Sequence, residues 1–376
     1  MIQMNAFAQE PVELRQQMLS AVTRVMESGW YVLGKEVQQF ERQWASQCGT
    51  THAVGVGNGM DAIEMTLRAL GVGPGDEVIT TSMTAFATVL AILRAGATPV
   101  LADIEPDTAL LSIESVRRCV TSRTRAIVLV HLYGQMRNMA AWTALCAAQQ
   151  LALIEDCAQA HGALWNGTAA GAFGRAGAYS FYPTKNLGAL GDGGMVVTND
   201  AAIAETVLRL RNYGQGEERY HHSEVGLNSR LDEMQAAILS ERLKWLPEFT
   251  VRRRRIAAAY RAGLAQSLIT LLAEPDDDAA HVQHLFVIRC KSRDRLQAHL
   301  LARGVQTLVH YPVPVHLQKP CRALARDPHG LSRAQQHAES CLSLPCHPQM
   351  TDGEISRVID AVNSFSIQHG TLRHAV

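Results

Sequence analysis

Apolar and polar positions change their period along this chain. Val12, Leu14, Met18, Val22, Val25 and Met26 recur at helical spacing across residues 9–29, and Gly29 follows as a stop. From there to about residue 200, short apolar runs alternate with helical stretches. HAVGVG (52–57), EVIT (77–80), TPVLAD (98–103), RAIVLVHL (125–132), LALIED (151–156), GAYSF (177–181) and GMVVT (194–198) predict strands. Residues 59–70, 85–95 and 138–149 predict helices, with GVGPGD (71–76) as a turn. This alternation predicts an α/β domain around a mainly parallel sheet. After residue 200 the pattern turns helical over 201–211 and 230–265, with a break near Pro247. A polar loop at 274–281, a strand at 284–290 and helices at 293–303 and 353–365 complete the chain. We therefore expect an N-terminal segment and large domain over 1–249 and a smaller C-terminal α+β domain over 250–376.

The 376 residues carry 35 Lys and Arg against 35 Asp and Glu, a formal net charge of zero. That balance speaks against coating a nucleic acid by charge. The run Arg252-Arg253-Arg254-Arg255 is read as a solvated helix face with salt bridges. The longest apolar stretch, Asn138 to Ile154, is interrupted by Gln149 and Gln150, and is short of the roughly 20 residues a membrane helix needs. MIQMNAFAQE has neither the basic start nor the apolar run of a signal peptide. The eight cysteines form no C-x-x-C pair and read as reduced thiols. Cys341, Cys346 and His347 lack a zinc spacing, and no metal is expected. The expectation is a cytoplasmic enzyme without nucleic-acid or membrane partners.

Parallel sheets bind ligands at the carboxyl ends of their strands, so the loops after strands carry the chemistry. Gly55-Val56-Gly57-Asn58-Gly59 joins a strand to a helix and is either an anion site or a plain tight turn. Met60 stands where the dinucleotide fingerprint requires a third glycine, which argues against a nicotinamide oxidoreductase. Asp156 ends an apolar strand, a costly place for a carboxylate unless something pairs with it. The partner is a structural arginine, a helix N-terminus or a protonated heterocyclic nitrogen. Lys185 lies in SFYPTKNLG (180–188), ahead of a glycine-rich bend. In a polar-poor pocket its ammonium is disfavoured and the amine becomes a nucleophile.

Glycine turn, strand-end Asp, then Ser and Lys in one later loop is an order that resembles the DegT-type family of sugar aminotransferases. The resemblance runs through GNGMDAIEMTLRALGVGPGDEVI (57–79), HLYGQ (131–135), EDCAQAHGA (155–163), SFYPTKNLGALGDGGMVVT (180–198), RLRNYGQ (209–215) and GLNSRLDEMQAA (226–237). It implies the fold type I architecture of pyridoxal 5'-phosphate (PLP) transferases. It implies Lys185 as the residue joined to PLP and moving the proton, Asp156 on the pyridine nitrogen and Gln159 near the ring hydroxyl. Phe86 would stack on the ring, and Ser180 with the N–H groups of Gly59 and Met60 would hold the phosphate. Asn228 would reach that phosphate from a second subunit, in a homodimer with shared active sites. His161, Tyr182, Asn186, Tyr220, His222, His310, Tyr311 and His316 are the expected substrate-side residues. HLYGQ and LVHYPVPVHLQ (308–318) are most similar to the branch acting at C3 of nucleotide-linked keto-deoxysugars. The implied reaction passes an amino group from L-glutamate to a dTDP-3-keto-6-deoxyhexose, making an amino sugar of the kind built into lipopolysaccharide. The alternatives are a C4-aminotransferase acting on a UDP- or dTDP-4-keto sugar, and a dehydratase of the same fold, in whose relatives a His replaces Lys185. A regulator with a PLP-type sensor would need a further DNA-binding module.

Overall fold

The computed structural model describes residues 1–216 and 218–366; the end of the expected C-terminal domain, 367–376, lies outside them. The chain opens with α1 (Val12–Ser28) and α2 (Lys35–Cys48), closed by Gly29 and Gly49 in the left-handed conformation. Then come β1 (His52–Val56), α3 (Gly59–Ala69), β2 (Glu77–Thr81), α4 (Phe86–Arg94), β3 (Thr98–Ala102), α5 (Ile113–Cys119), β4 (Thr124–Val130), α6 (Met139–Gln149) and β5 (Ala152–Asp156). A small ribbon, β6 (Leu164–Trp165) and β7 (Thr168–Ala169), precedes β8 (Ala176–Ser180), β9 (Gly194–Thr198) and α7 (Ala201–Leu210). The helices α8 (Glu233–Leu243) and α9 (Leu246–Gly263) lead to β10 (Ile269–Leu271), β11 (Phe286–Cys290), α10 (Arg293–Ala302), β12 (Ala325–Arg326), α11 (Ser332–Ser340), β13 (Cys341–Leu344) and α12 (Asp352–Asn363).

Eight strands form one sheet in the order β1-β9-β8-β5-β4-β2-β3-β12. Only β9 runs against its neighbours, so the expected mainly parallel sheet is present. The unbroken apolar strands follow from burial on both faces. In β4, Ala126 and Val128 enter one core with Ile63, Met65 and Ile92 of α3 and α4. Ile127 and Leu129 enter the other with Phe40 and Trp44 of α2 and Trp142 of α6. Trp44 and Phe40 are fully buried; truncating either to Ala would cost about 3–5 kcal/mol.

The C-terminal part packs the antiparallel sheet β10-β11-β13 against α9, α10 and α12, through Ile256, Tyr260, Leu296, Leu300, Val358 and Val362. Two short pieces cross the proposed 249/250 division. Ile2 joins this second core and bridges to Val305, and β12 extends the large sheet beside β3. Among the described residues, no helix is long and apolar enough to cross a membrane. The helix α2 was absent from the sequence expectation, although Val37, Phe40, Trp44, Ala45 and Cys48 mark its buried stripe.

Candidate active site

The carboxyl ends of β1, β2, β4, β5 and β8 share one edge of the large sheet, because those strands are parallel to one another. At that edge α3 begins. Its N-cap, Asn58, accepts a hydrogen bond from the Asp61 amide at 2.9 Å. Ser229 accepts from the Gly57 amide at 2.9 Å and donates to Asp61 at 2.7 Å, which fixes the loop. The amides of Gly59 and Met60 have no acceptor among the described residues. Gly59 is needed for space: a Cβ there would stand 2.7 Å from the Cβ of Ser180. Ser180 accepts from the Tyr182 amide at 3.3 Å, which leaves its O–H free to donate. Two free amides, a hydroxyl and a helix N-terminus form an anion cradle of phosphate size. The Met60 side chain packs inward on the core.

Asp156, at the end of β5, is buried and takes its hydrogen bonds from Thr88 Oγ1 at 2.8 Å and the Ala158 amide at 3.1 Å. Among the described residues no arginine pairs with it. Thr88 lies two residues beyond Phe86, which opens α4 with its ring 36% exposed at the same edge. Gln159 accepts from the Tyr133 amide at 2.6 Å and donates to Tyr311 Oη at 3.3 Å. Tyr133 itself holds a left-handed backbone, φ 64°. Its hydroxyl donates to the His310 carbonyl at 2.6 Å, so His337 Nε2, 2.9 Å away, donates to the Tyr133 oxygen. Burial holds His337 down at about 4, in keeping with that neutral tautomer.

The segment 181–193 folds back on itself, with the Phe181 amide donating to Gly193 O and the Ala189 amide to Phe181 O. Gly188 sits where a Cβ would meet Pro183 O at 2.4 Å. This bend presents Lys185 partly buried. Burial pulls its ammonium from 10.5 down to about 8, with the Asp156 carboxylate opposing the shift. Near neutral pH the amine is thus within reach of its nucleophilic form.

The eight expected substrate-side residues divide. Tyr311 lies against Gln159, and His310 lines a cavity with Thr184 and His284. Tyr182 is 53% exposed beside the Lys185 bend. Tyr220 and His222 are exposed, and His222 bonds Tyr213 O at 3.0 Å. The other three make their bonds within the protein. His161 is fully enclosed among Trp44, Tyr179 and Phe181 and donates to Ser180 O at 2.9 Å, so it supports the site from behind. Asn186 spends its amide on Val282 O at 2.9 Å and His284 Nδ1 at 3.1 Å. His316 is buried, and its Nε2 meets Gln335 at 3.0 Å, in a segment whose Val315 amide bonds Ser82 O. The arginine run is corrected in part: Arg255 is exposed and Arg252 pairs with Asp352, but Arg253 is buried and Arg254 donates to His281 O and Ala279 O. Asn228 is exposed beside the buried Ser229. Glu155, next to Asp156, accepts from His131 and from the amides of Gly171, Phe173 and Gly174, a structural tie. Thr88, Tyr133 and His284 were missed, although Tyr133 lies inside HLYGQ and Thr88 two residues after Phe86.

Comparison with known proteins agrees with this geometry. The profile of the DegT/DnrJ/EryC1/StrS aminotransferase family matches residues 12–363. A dTDP-3-amino-3,4,6-trideoxy-alpha-D-glucose transaminase of Streptomyces venezuelae is 47% identical, over 94% of this chain and 93% of the relative. A dTDP-3-amino-3,6-dideoxy-alpha-D-galactopyranose transaminase of Aneurinibacillus thermoaerophilus is 46% identical, over 92% of this chain and 94% of the relative. The crystal structure of DesV from S. venezuelae superposes with a TM-score of 0.89 at 47% identity, covering 93% of this chain and 94% of that one.

Proposed function

The chain belongs to the DegT/DnrJ/EryC1/StrS aminotransferase family, and from that premise we propose the following reading of its site. It is a PLP-dependent aminotransferase that moves the amino group of L-glutamate to the C3 keto group of a dTDP-linked deoxyhexose. The observation that carries the chemistry is one sheet edge bearing the anion cradle of Gly59, Met60 and Ser180, the unpaired strand-end Asp156 and the depressed Lys185 amine. The C3 position and the dTDP carrier rest on the relatives, two of which are named for 3-amino products on dTDP.

The residues fit PLP: the cradle takes its phosphate, and Asp156, which forms no salt bridge among the described residues, is free to hold a protonated ring nitrogen. When bound, PLP supplies the electron sink that lets the donor's α-carbon lose its proton. Thr88 and the Ala158 amide keep Asp156 aimed. Gln159, oriented by Tyr133 and Tyr311, presents an amide to the ring hydroxyl. Phe86 covers one face. Lys185, neutral within reach of physiological pH, takes the proton from the donor carbon and returns it on the sugar side. The same protein residues serve both half-reactions, so glutamate and ketosugar use the site in turn.

Exposed Trp30, Tyr31, Leu190 and Val225 support a homodimer, in which Asn228 reaches the partner's phosphate cradle. Eight buried, unpaired cysteines suit a reducing compartment, and the cytoplasm is proposed on that ground. Use of the product in lipopolysaccharide is likewise a proposal.

The test is a panel of 3-keto and 4-keto sugars on dTDP and UDP, with L-glutamate and mass-spectrometric detection of the amine. Amination of the dTDP-3-keto sugar is expected. Amination of 4-keto substrates alone would establish the C4 reading, and loss of a hydroxyl without nitrogen gain the dehydratase one.

A further inference from the structure

Lys185 stands on a bend that closes on itself. Its amide donates to Tyr182 O at 2.9 Å, and the Ala189 amide returns to Phe181 O. A tie beyond the bend comes from the next residue, Asn186, which is buried. The Asn186 side-chain nitrogen donates to Val282 O at 2.9 Å. That carbonyl can only accept, so the amide has one orientation, and its oxygen faces His284 Nδ1 at 3.1 Å. An amide oxygen also only accepts, so His284 carries a proton on Nδ1 and donates it. Burial, with the Lys185 and Arg253 charges, holds this ring well below its ordinary range, in keeping with the neutral tautomer.

The segment 282–284, which leads into β11, is itself seated on the HLYGQ loop. The Val282 amide donates to Gly134 O at 3.0 Å and the His284 amide to Tyr133 O at 3.1 Å. Gly134, at φ 91°, is where the two segments meet. A Cβ there would stand 2.7 Å from Gln159 O, 2.8 Å from Val282 Cγ2 and 3.2 Å from His284 Cβ, so the close approach needs glycine. The amide of the neighbouring Tyr133 is the one that holds Gln159, at 2.6 Å. One short segment of the C-terminal part therefore bonds both the residue beside Lys185 and the loop that aims Gln159.

We propose that the segment 282–284 is a brace that keeps Lys185 in register with Gln159, with His284 as a positioning residue acting through Asn186. The proposal rests on the aminotransferase reading, in which Lys185 is the reacting amine and Gln159 meets the ring hydroxyl. On PLP the aldehyde stands on the ring carbon next to the one that bears the hydroxyl. A ring oriented by Gln159 thus offers its aldehyde to Lys185 only while the two residues keep their spacing. Lysine's stem is long and flexible, so fixing the backbone under it narrows where the amine can go. His284 acts on that geometry alone. It governs how fast Lys185 reacts in both half-reactions and leaves substrate affinity in place.

The experiment uses the full-length protein, freed of cofactor and then mixed with PLP. The visible band of Lys185-bound cofactor is timed as the amine adds to the aldehyde and water leaves. Each half-reaction of the loaded enzyme is then followed by rapid-mixing absorbance. His284→Leu is expected to slow band formation and both half-reactions by about tenfold or more, the scale of a displaced reacting group. Apparent affinities for L-glutamate and ketosugar should stay within about threefold of wild type. His284→Asn places an amide N–H where Nδ1 stood, and its rates should return to within about threefold of wild type, the scale of one neutral hydrogen bond. Asn186→Leu should match His284→Leu, with the double variant no slower than either. Wild-type rates in His284→Leu, a loss confined to substrate affinity, or additive losses in the double variant would overturn the brace. If His284→Leu fails to fold, His284→Gln replaces it, because its amide stands at the Nε2 position; rates equal to those of His284→Asn overturn the proposal equally. A wild type that forms the band yet aminates no ketosugar removes the ketosugar reading and leaves the brace to these variants. A wild type that forms no band removes the aminotransferase reading and the brace with it.

Discussion

Lys185→Met in the cofactor-free protein isolates the electrostatic cost of the reactive amine. The Lys185 ammonium falls from 10.5 to about 8 on folding. A lowered lysine pKa means that the folded state disfavours the charged form. Below pH 8 both states are protonated and the folded protein carries the whole penalty. Between pH 8 and 10.5 the unfolded chain binds the extra proton, so stability rises with pH; above 10.5 the penalty is gone. At about 1.4 kcal/mol per pKa unit, the gain from pH 7 to pH 9.5 is on the order of 2 kcal/mol. Every other titrating group is common to wild type and variant. Urea unfolding of both at pH 7 and pH 9.5 therefore gives the lysine's share as a double difference. The wild type should gain stability relative to Lys185→Met by about this amount over that interval. Parallel pH profiles, or a wild type that loses ground as pH rises, would refute the placement of Lys185 in a desolvating pocket.

Three other substitutions probe the rest of the edge. Gly59→Ala places a Cβ 2.7 Å from the Ser180 Cβ and forces the cradle apart; equilibrium dialysis should show PLP binding weakened by about tenfold or more, with the fold intact by circular dichroism. Asp156→Asn removes the charge proposed to hold a protonated ring nitrogen, and steady-state turnover should fall by about a hundredfold or more, the scale of one lost preorganised electrostatic partner. Thr88→Val deletes the 2.8 Å donor to buried Asp156; thermal or urea unfolding should register a loss of about 1–3 kcal/mol.

Much of this arrangement was legible before any coordinates. Strands such as β4 carry unbroken apolar runs because both their faces are buried, and such runs stand out in a sequence. Asp156 and Ser180 end strands, Gly59 and Lys185 follow the ends of strands, and a parallel sheet collects such positions at one edge. The direction of a side chain was not legible. His161, Asn186 and His316 lie in or beside the recognised motifs, yet they turn toward the core and toward neighbouring segments. Thr88 acts on a carboxylate 68 residues away, which no local pattern reports. The arginine run was misread for a geometric reason. Four consecutive residues on a helix, each turned about 100° from the last, cover its whole circumference, so one of them had to face the interior. That one is Arg253.

The most direct measurement is the visible absorbance spectrum of the purified protein with PLP, before and after L-glutamate, in wild type and in Lys185→Ala. The account predicts a visible band from Lys185-bound cofactor in the wild type, lost on adding glutamate, with 2-oxoglutarate released in equal amount. Lys185→Ala should lack that band and turn over no ketosugar. A wild type with no such band, or a Lys185→Ala variant that still aminates a ketosugar, would contradict the assignment of Lys185 as the group that carries the reaction.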